Sequence, residues 1–262
     1  MAKTERVDVL MVLAGLAPTR SAAQRLVMAG VVRAGGEPVH KSSQKVSPET
    51  LLTVEHGPRF VSRGGEKLSA ALARFGVLVA GRVAADVGAS TGGFTDCLLQ
   101  NGAAKVYAVD VGKGQLEWSL RGDPRVVVME STNARYLESL PEPVSLATVD
   151  VAFISLRLIL PRVAAWLAPG GDVIALVKPQ FEAGRAQVGS GGVVRRPEVH
   201  RQVLQEILAV FGDLGLVPQA AMPSPLRGPK GNREFLIWGR QGADPAVSDL
   251  VEAALRDEPE DS

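Results

Sequence analysis

The stretch Val83-Ala84-Ala85-Asp86-Val87-Gly88-Ala89-Ser90-Thr91-Gly92-Gly93-Phe94-Thr95 constrains this chain more than any other. An apolar run ends at a glycine-rich turn, and Phe94, Leu98 and Leu99 then recur at helical spacing. The pattern predicts strand, loop and helix. Glycine lacks the Cβ that would keep a ligand away from the backbone. The helix start aims unpaired N–H groups and the positive end of its dipole at whatever binds there. A second apolar run, Val106 to Val109, ends in Asp110, 22 residues after Gly88. That spacing suits an acid that accepts hydrogen bonds from a ribose diol. The pair predicts a nucleoside crevice at the carboxyl ends of parallel strands.

The loop reads G-x-x-x-G-G, which differs from the dinucleotide pattern G-x-G-x-x-G and argues against NAD. Asp86, just before the first glycine, suits a cationic ligand end better than a pyrophosphate. S-adenosylmethionine, with its ammonium and sulfonium, fits that requirement. The alternative is a tight turn that binds nothing.

The chain has 262 residues, 46% of them apolar, enough for one large domain with or without a small module. No apolar run reaches the roughly 18–20 residues of a membrane span. The amino terminus, Met1 to Asp8, is charged and has no signal-peptide core. Cys97 is the sole cysteine, so no disulfide framework exists and a cytoplasmic setting is expected. Cys97 reads as a buried structural thiol. The net charge of +1 conceals an asymmetry: residues 241–262 hold seven acidic residues against Arg256, which leaves +7 on the remainder. A basic body suits a polyanionic partner, and a solvated acidic tail on an ordinary surface is the alternative.

Residues 1–58 read as a separate module. A helix over Arg6–Leu16 sets Val9, Leu10 and Leu13 on one face. A second helix runs from Ser21 to Gly30, with Thr19 or Ser21 as N-cap and Leu26 and Val27 inward. Val31-Val32 and Leu51 to Val54 read as strands, separated by a turn at Gly35-Gly36. Basic residues Arg6, Arg20, Arg25, Arg33, Lys41 and Lys45 outnumber the acids. The run Arg6-Val7-Asp8-Val9-Leu10, Gly15-Leu16, Arg20-Ser21-Ala22-Ala23, Leu26 and Gly30-Val31-Val32 resembles the S4 RNA-binding domain. Two short helices carrying arginines would form a phosphate-facing surface. A helical cap that only packs on the main domain is the alternative.

Residues 59–63 form a linker in which Phe60 is expected to dock on one domain, and 64–240 form the larger domain. Glu66–Phe75 reads as a helix with Leu68, Leu72 and Phe75 inward; Lys67 there would ordinarily be a solvated residue. Strands are expected near 82–87, 105–110, 125–129, 146–151, 173–177, 216–221 and 234–239. Helices are expected near 94–101, 114–120, 156–167 and 198–213. The last two strands suit an antiparallel pair at one edge. The fold class is α/β: a doubly wound, mainly parallel seven-stranded Rossmann-like sheet plus a small α+β module.

Asn133, after the third strand, either bonds an adenine edge or caps the next helix. Asp150 and Lys178 end the fourth and fifth strands, within ion-pair reach of each other, and Glu234 opens the last. Taken singly each reads as an ordinary salt bridge; their convergence on one crevice reverses that. Phe153 and Phe181 flank this group, either to stack a base or to fill the core. The glycine-rich 184–194 and the segment 222–232 carry Arg185, Arg195, Arg196, Arg227 and Lys230, which suit phosphate contacts. His40, His56 and His200 are scattered, so no metal site is expected.

Together, Ser62-Arg63-Gly64-Gly65-Glu66-Lys67-Leu68, Asp86 to Thr95, Leu176-Val177-Lys178-Pro179-Gln180-Phe181-Glu182 and Gly231-Asn232-Arg233-Glu234-Phe235 resemble the TlyA family over roughly residues 5–240. Its members join an S4 domain to an FtsJ-like methyltransferase domain. The resemblance implies S-adenosylmethionine-dependent 2′-O-methylation of cytidine ribose in 16S or 23S ribosomal RNA. It implies a catalytic tetrad of Lys67, Asp150, Lys178 and Glu234. It places the cofactor on Asp86, Gly88, Ala89, Ser90, Thr91, Gly92, Gly93 and Phe94, with Asp110 at the ribose and Asn133 near the adenine. Arg6, Arg20, Arg25, Arg33, Lys41, Arg185, Arg227 and Lys230 are the expected RNA contacts. Ribosomal RNA or ribosomal subunits are the expected partners of a monomeric protein without membrane contact. Three rivals stand beside this reading. A non-catalytic RNA-binding assembly factor conflicts with the intact tetrad. A nucleotide-dependent oxidoreductase conflicts with the loop spacing. A pore-forming haemolysin, a label that the family sometimes carries, lacks a membrane-length apolar segment.

Overall fold

The computed structural model describes residues 4–55, 57–244 and 249–256. The chain divides into two compact units, Met1–Arg59 and Phe60–Ser262. In the smaller unit a helix over Val7–Leu13 precedes a second over Arg20–Met28, whose first turn is capped by Thr19 Oγ1 accepting from the Ala22 N–H at 3.2 Å. Strands Val32–Ala34, Glu37–Pro38 and Leu52–Val54 form a three-stranded sheet. The short pairing of Glu5–Arg6 with Lys45–Val46 was not legible in the sequence, because two-residue strands carry no periodicity. One expectation is corrected. Leu13 is 77% exposed, and Val7, Leu10 and Met11 form the buried face instead. The helix begins at Val7, so the spacing i, i+3, i+4 selects those three.

The larger unit is built on seven strands: β1 (Val83–Val87), β2 (Lys105–Val109), β3 (Val126–Met129), β4 (Val144–Val149), β5 (Leu167–Val177), β6 (Leu216–Pro223) and β7 (Phe235–Gln241). Their order is β6-β7-β5-β4-β1-β2-β3. The five strands from β5 to β3 are parallel. β7 runs antiparallel to both β5 and β6, so the edge pair expected from the sequence is present, and β7 lies inside it. Helices α1 (Gly64–Phe75), α2 (Gly93–Gln100), α3 (Trp118–Arg121), α4 (Leu160–Trp166), α5 (Pro179–Glu182), α6 (Pro197–Asp213) and α7 (Leu250–Arg256) complete the unit.

The alternation of side chains along each strand divides the core into two layers. Ala84, Val106, Leu146, Ile174 and Leu236 face one side, where α1 and α2 bury Leu68, Leu72, Phe94 and Leu98. Ala85, Tyr107, Ala147, Val173 and Ile237 face the other, where α4 and α6 bury Val163, Trp166, Val203, Ile207 and Phe211. Phe60 is buried in the first layer, against Gly65, where a Cβ would lie 2.2 Å from the Phe60 ring.

Three element expectations change. The helix expected near 114–120 contracts to the single turn α3, since Gly112 and Gly114 favour a loop before it. The helix expected near 156–167 is a 3₁₀ turn, Leu156–Leu158, followed by α4; Ser155 caps the first and Pro161 sits in the first turn of the second. Within the acidic carboxyl-terminal segment, α7 buries Val251 and Ala254 in the second core layer, and Arg201 pairs with Glu252. That part of the segment is therefore packed, and residues 257–262 lie outside the described ones.

Candidate active site

All the parallel strands present their carboxyl ends at one edge of the sheet. β7 is antiparallel, so its amino end lies at that same edge. Val177 pairs with Phe235, which brings Lys178 and Glu234, the residues just beyond that pair, to the same level. The four expected tetrad residues line a single cavity of about 360 Å³ with Ser62 and Arg63. They stand as two ion pairs. Lys67 Nζ lies 2.5 Å from Glu234 Oε2, and Lys178 Nζ lies 2.6 Å from Asp150 Oδ1. Lys67 is thus not a solvated helix residue: it is buried, as is Glu234 at 1% exposure. Removing either partner of such a pair would leave a charge without compensation. Glu234 Oε1 has no hydrogen-bond partner among the described residues, and Gly228 lies directly behind it. A Cβ on Gly228 would fall 2.2 Å from that oxygen.

A second cavity, about 480 Å³, lies alongside and shares Gly88, Ser90 and Asp150 with the first. Asp110, Asn133, Val111 and Phe153 are among its walls. Asp110 accepts from the Ser90 N–H at 2.8 Å and from the Gly112 N–H at 2.7 Å, which fixes the carboxylate at the end of β2 and orders the glycine loop. Two backbone bonds leave acceptor capacity on both oxygens. Asn133 Oδ1 accepts from the Arg135 N–H at 3.0 Å, so it closes a turn while lining the cavity; no helix follows it directly. Gly88 has φ +85°, and a Cβ there would sit 2.3 Å from the Asp150 carbonyl oxygen. Only glycine allows the loop to cross so close to β4.

The other loop residues separate by role. Ala89, Thr91, Gly93 and Phe94 border the tetrad cavity. Gly92 faces neither cavity; a Cβ there would strike Leu120 and Leu116, so its place is a packing requirement. Asp86 is the clearest correction. Its carboxylate is fully buried, borders neither cavity, and accepts from Thr95 Oγ1 at 2.7 Å. Strand alternation turns it into the layer beneath α2, where burial pushes its carboxyl up to about 7 against the opposing pull of the Thr95 hydrogen bond. It therefore secures the start of α2 from below and does not face a cationic ligand directly.

Phe153 is not a core residue. It is 90% exposed, its φ is +64°, and its ring lies 5.1 Å from that of Phe181 at 50°. Sequence reasoning missed Ser62 and Arg63 as lining residues, and Gln115 and Thr132 in the second cavity. Their side chains are ordinary loop types, and only the fold brings them there.

Among the expected RNA contacts, Arg6 grips Asp8 through two hydrogen bonds of 2.9 and 2.8 Å, and Arg20 reaches the same carboxylate at 3.3 Å. Those hydrogen bonds, Arg6 first, hold the buried Asp8 well below the usual carboxylate range. Arg33 pairs with Glu55 at 2.6 Å, while Arg25 and Lys41 are exposed. In the larger unit Arg185, Arg227 and Lys230 are exposed on the two loops that follow α5 and β6. Asn232 clamps these loops together, accepting from the Val194 N–H at 3.1 Å and donating to the Gly192 carbonyl at 2.9 Å. His200 is buried, with Nε2 3.1 Å from the Val194 carbonyl oxygen, and His56 lies outside the described residues. Among the described residues, no cluster of three His, Cys, Asp or Glu could hold a metal, and no helix is long and apolar enough to cross a membrane.

Residues 60–241 match the FtsJ-like methyltransferase family, and residues 5–52 match the S4 domain. The chain is 46% identical over 268 residues to the 16S/23S rRNA (cytidine-2′-O)-methyltransferase TlyA of Mycobacterium tuberculosis, covering 99% of this chain and 100% of the relative. It is 50% identical over 252 residues to a Bacillus subtilis protein provisionally named rRNA methyltransferase YqxC, covering 92% and 89%. A solved structure from Streptococcus thermophilus, provisionally labelled a hemolysin, superposes with a TM-score of 0.73 at 46% identity, covering 98% and 96%.

Proposed function

The chain belongs to the FtsJ-like methyltransferase family, with an S4 domain at its amino end, and on that premise we propose that it methylates the ribose 2′-hydroxyl of cytidine in ribosomal RNA. The observation that carries the reading is the meeting of two cavities at Gly88, Ser90 and Asp150. One has the acid, the amide and the apolar walls that a nucleoside needs. The other has the paired lysines and carboxylates that a hydroxyl nucleophile needs. The wall that the two cavities share, Gly88, Ser90 and Asp150, fits S-adenosylmethionine lying across both. Asp110 would hold the ribose diol and Asn133 the adenine, with the glycine loop around the amino-acid end.

When bound, S-adenosylmethionine supplies an electrophilic methyl group. A ribose hydroxyl is a poor nucleophile until its proton departs. Lys178, at the mouth of β5, is the group to receive that proton once its own ammonium proton has passed to Asp150, 2.6 Å away. Lys67, held by Glu234, keeps a second positive charge at the same wall. That charge stabilises a developing alkoxide. In-line attack requires the hydroxyl about 3 Å from the methyl, so positioning adds to the proton transfer. The exposed Phe153, beside Phe181, offers an apolar face for a base turned out of its helix. Arg6, Arg20, Arg25, Arg33 and Lys41 on the S4 domain, with Arg185, Arg227 and Lys230 around the crevice, would meet phosphates. The partner is ribosomal RNA, on 16S or 23S or both, and the protein acts as a monomer in the cytoplasm, where that RNA is made.

Tritium from labelled cofactor should move to ribosomal RNA or isolated subunits, and mapping should find the label on a cytidine 2′-oxygen. Binding of RNA without any transfer would favour the assembly-factor reading instead.

A further inference from the structure

The segment 178–182, which follows β5, grips the segment 150–156, which follows β4, at three points. The first is the ion pair of Lys178 with Asp150 at 2.6 Å. The second is the ring contact of Phe181 with Phe153, centroids 5.1 Å apart. The third is Glu182. Its Oε2 accepts from Ser155 Oγ at 2.6 Å, and its Oε1 accepts from the Leu156 N–H at 2.8 Å. Between the first and third points lies Phe153, a bulky residue at φ +64° with 90% of its surface exposed. Such a conformation persists only where its surroundings over-determine it. Burial does not hold this ring, so the grip at either end of the turn must. The same turn supplies Val151, Phe153 and Ile154 to the wall of the nucleoside cavity.

We propose that Glu182 is a positioning residue, whose carboxylate fixes the turn 151–156 so that Phe153 stands at the wall of the nucleoside cavity, beside its junction with the methyl-transfer site at Asp150. The inference rests on the reading of that site as a ribose methyltransferase. Glu182 is partly buried and touches neither cavity, so it acts only through the turn. A carboxylate suits the task because two acceptors on one rigid group bind a hydroxyl and a main-chain N–H at the start of the Leu156–Leu158 turn. The function requires acceptor geometry and not charge. A glutamine keeps one oxygen for the Leu156 N–H, and the Ser155 hydroxyl can rotate to accept from the new amide.

The experiment uses the full chain with ribosomal subunits and S-adenosylmethionine, and counts active sites by cofactor-binding stoichiometry. Glu182→Ala should speed amide exchange across 151–158 at least tenfold. It should lower kcat per active site about tenfold and leave KM for the RNA within threefold, because most phosphate contacts lie elsewhere. Glu182→Gln should restore most of both. Ser155→Ala, which removes one of the two bonds, should move exchange and kcat in the same direction by less, and it supplies the test if the alanine at 182 does not fold. Unchanged exchange and kcat in Glu182→Ala and Ser155→Ala would overturn the proposal. So would a glutamine variant as impaired as the alanine, since charge would then be the requirement. If the unaltered protein transfers no methyl group, the methyltransferase reading fails, and the exchange rates still decide whether Glu182 holds the turn.

Discussion

Lys178 Nζ and Asp150 Oδ1 lie 2.6 Å apart across the ends of two neighbouring parallel strands, where the two cavities meet. Both side chains line the tetrad cavity. Pro179 favours an extended backbone at Lys178, observed at φ −115°, ψ 98°, which aims the side chain outward from the sheet edge.

Lys178→Ala should abolish methyl transfer, by at least the 10²–10⁴-fold that general-base action typically provides (roughly), with cofactor and RNA affinity largely kept. Lys178→Arg should also fail, because a guanidinium stays protonated. Single-turnover rates on ribosomal subunits check both. Normal turnover by the arginine variant would leave Lys178 an electrostatic role only.

Gly228→Ala should damage catalysis although Gly228 carries no functional group. Its Cβ would fall 2.2 Å from Glu234 Oε1, so the carboxylate must swing and release Lys67. The expected result is a fall of about tenfold or more in kcat with little change in the dissociation constant for S-adenosylmethionine. An alanine variant with unaltered kcat would show that the Lys67–Glu234 pair tolerates displacement.

Asp110→Ala should weaken cofactor binding about 10- to 100-fold, from the loss of charge-assisted hydrogen bonds worth roughly 1.5–3 kcal/mol. Loss of the Ser90 and Gly112 bonds will also loosen the loop. Calorimetry on folded protein provides the measurement, and RNA affinity serves as the internal control.

Removing residues 1–58 should leave cofactor binding nearly intact and severely weaken RNA methylation. The cut spares Phe60, which is buried in the larger unit, and every residue that lines either cavity. Full-rate methylation by the truncated protein would mean that the S4 domain contributes no substrate affinity.

Two buried aspartates, one in each unit, should respond oppositely to acid. Asp86 has a raised folded-state pKa, about 7 against an ordinary 3.8, because burial disfavours its charge. Its contribution to the larger unit is greatest below about pH 4 and declines as pH rises to about 7. Asp8 is held low by Arg6, so its contribution to the smaller unit is present above the ordinary carboxylate range and lost as pH falls from that range through its lowered folded-state pKa. Asp86 should therefore raise the thermal unfolding temperature of the larger unit between pH 8 and pH 5, against the opposing effect of the buried His200, whose lowered pKa costs stability as pH falls, and the difference from Asp86→Asn isolates the Asp86 part. An equal shift in the asparagine variant would assign the titration to another group.

The amino-acid sequence by itself determined the alternation of strands and helices, the glycine turn after β1, and Asp110 at the end of β2. These are local: a period of two or 3.6, a missing Cβ and a fixed spacing are written along the chain. It also placed Asp150 and Lys178, because a polar residue that ends an apolar strand must emerge at that strand's carboxyl end. What it left open was decided by packing between distant segments. Glu234 reaches Lys67, 167 residues away, because β7 runs antiparallel beside β5 and returns its amino end to the edge where the parallel strands finish. Asp86 turns away from the crevice because strand alternation points it into the layer that α2 covers. Phe153 stands exposed because the segment after β5 holds its turn from outside. Each outcome depends on which segment lies opposite, and a one-dimensional pattern carries no record of that neighbour.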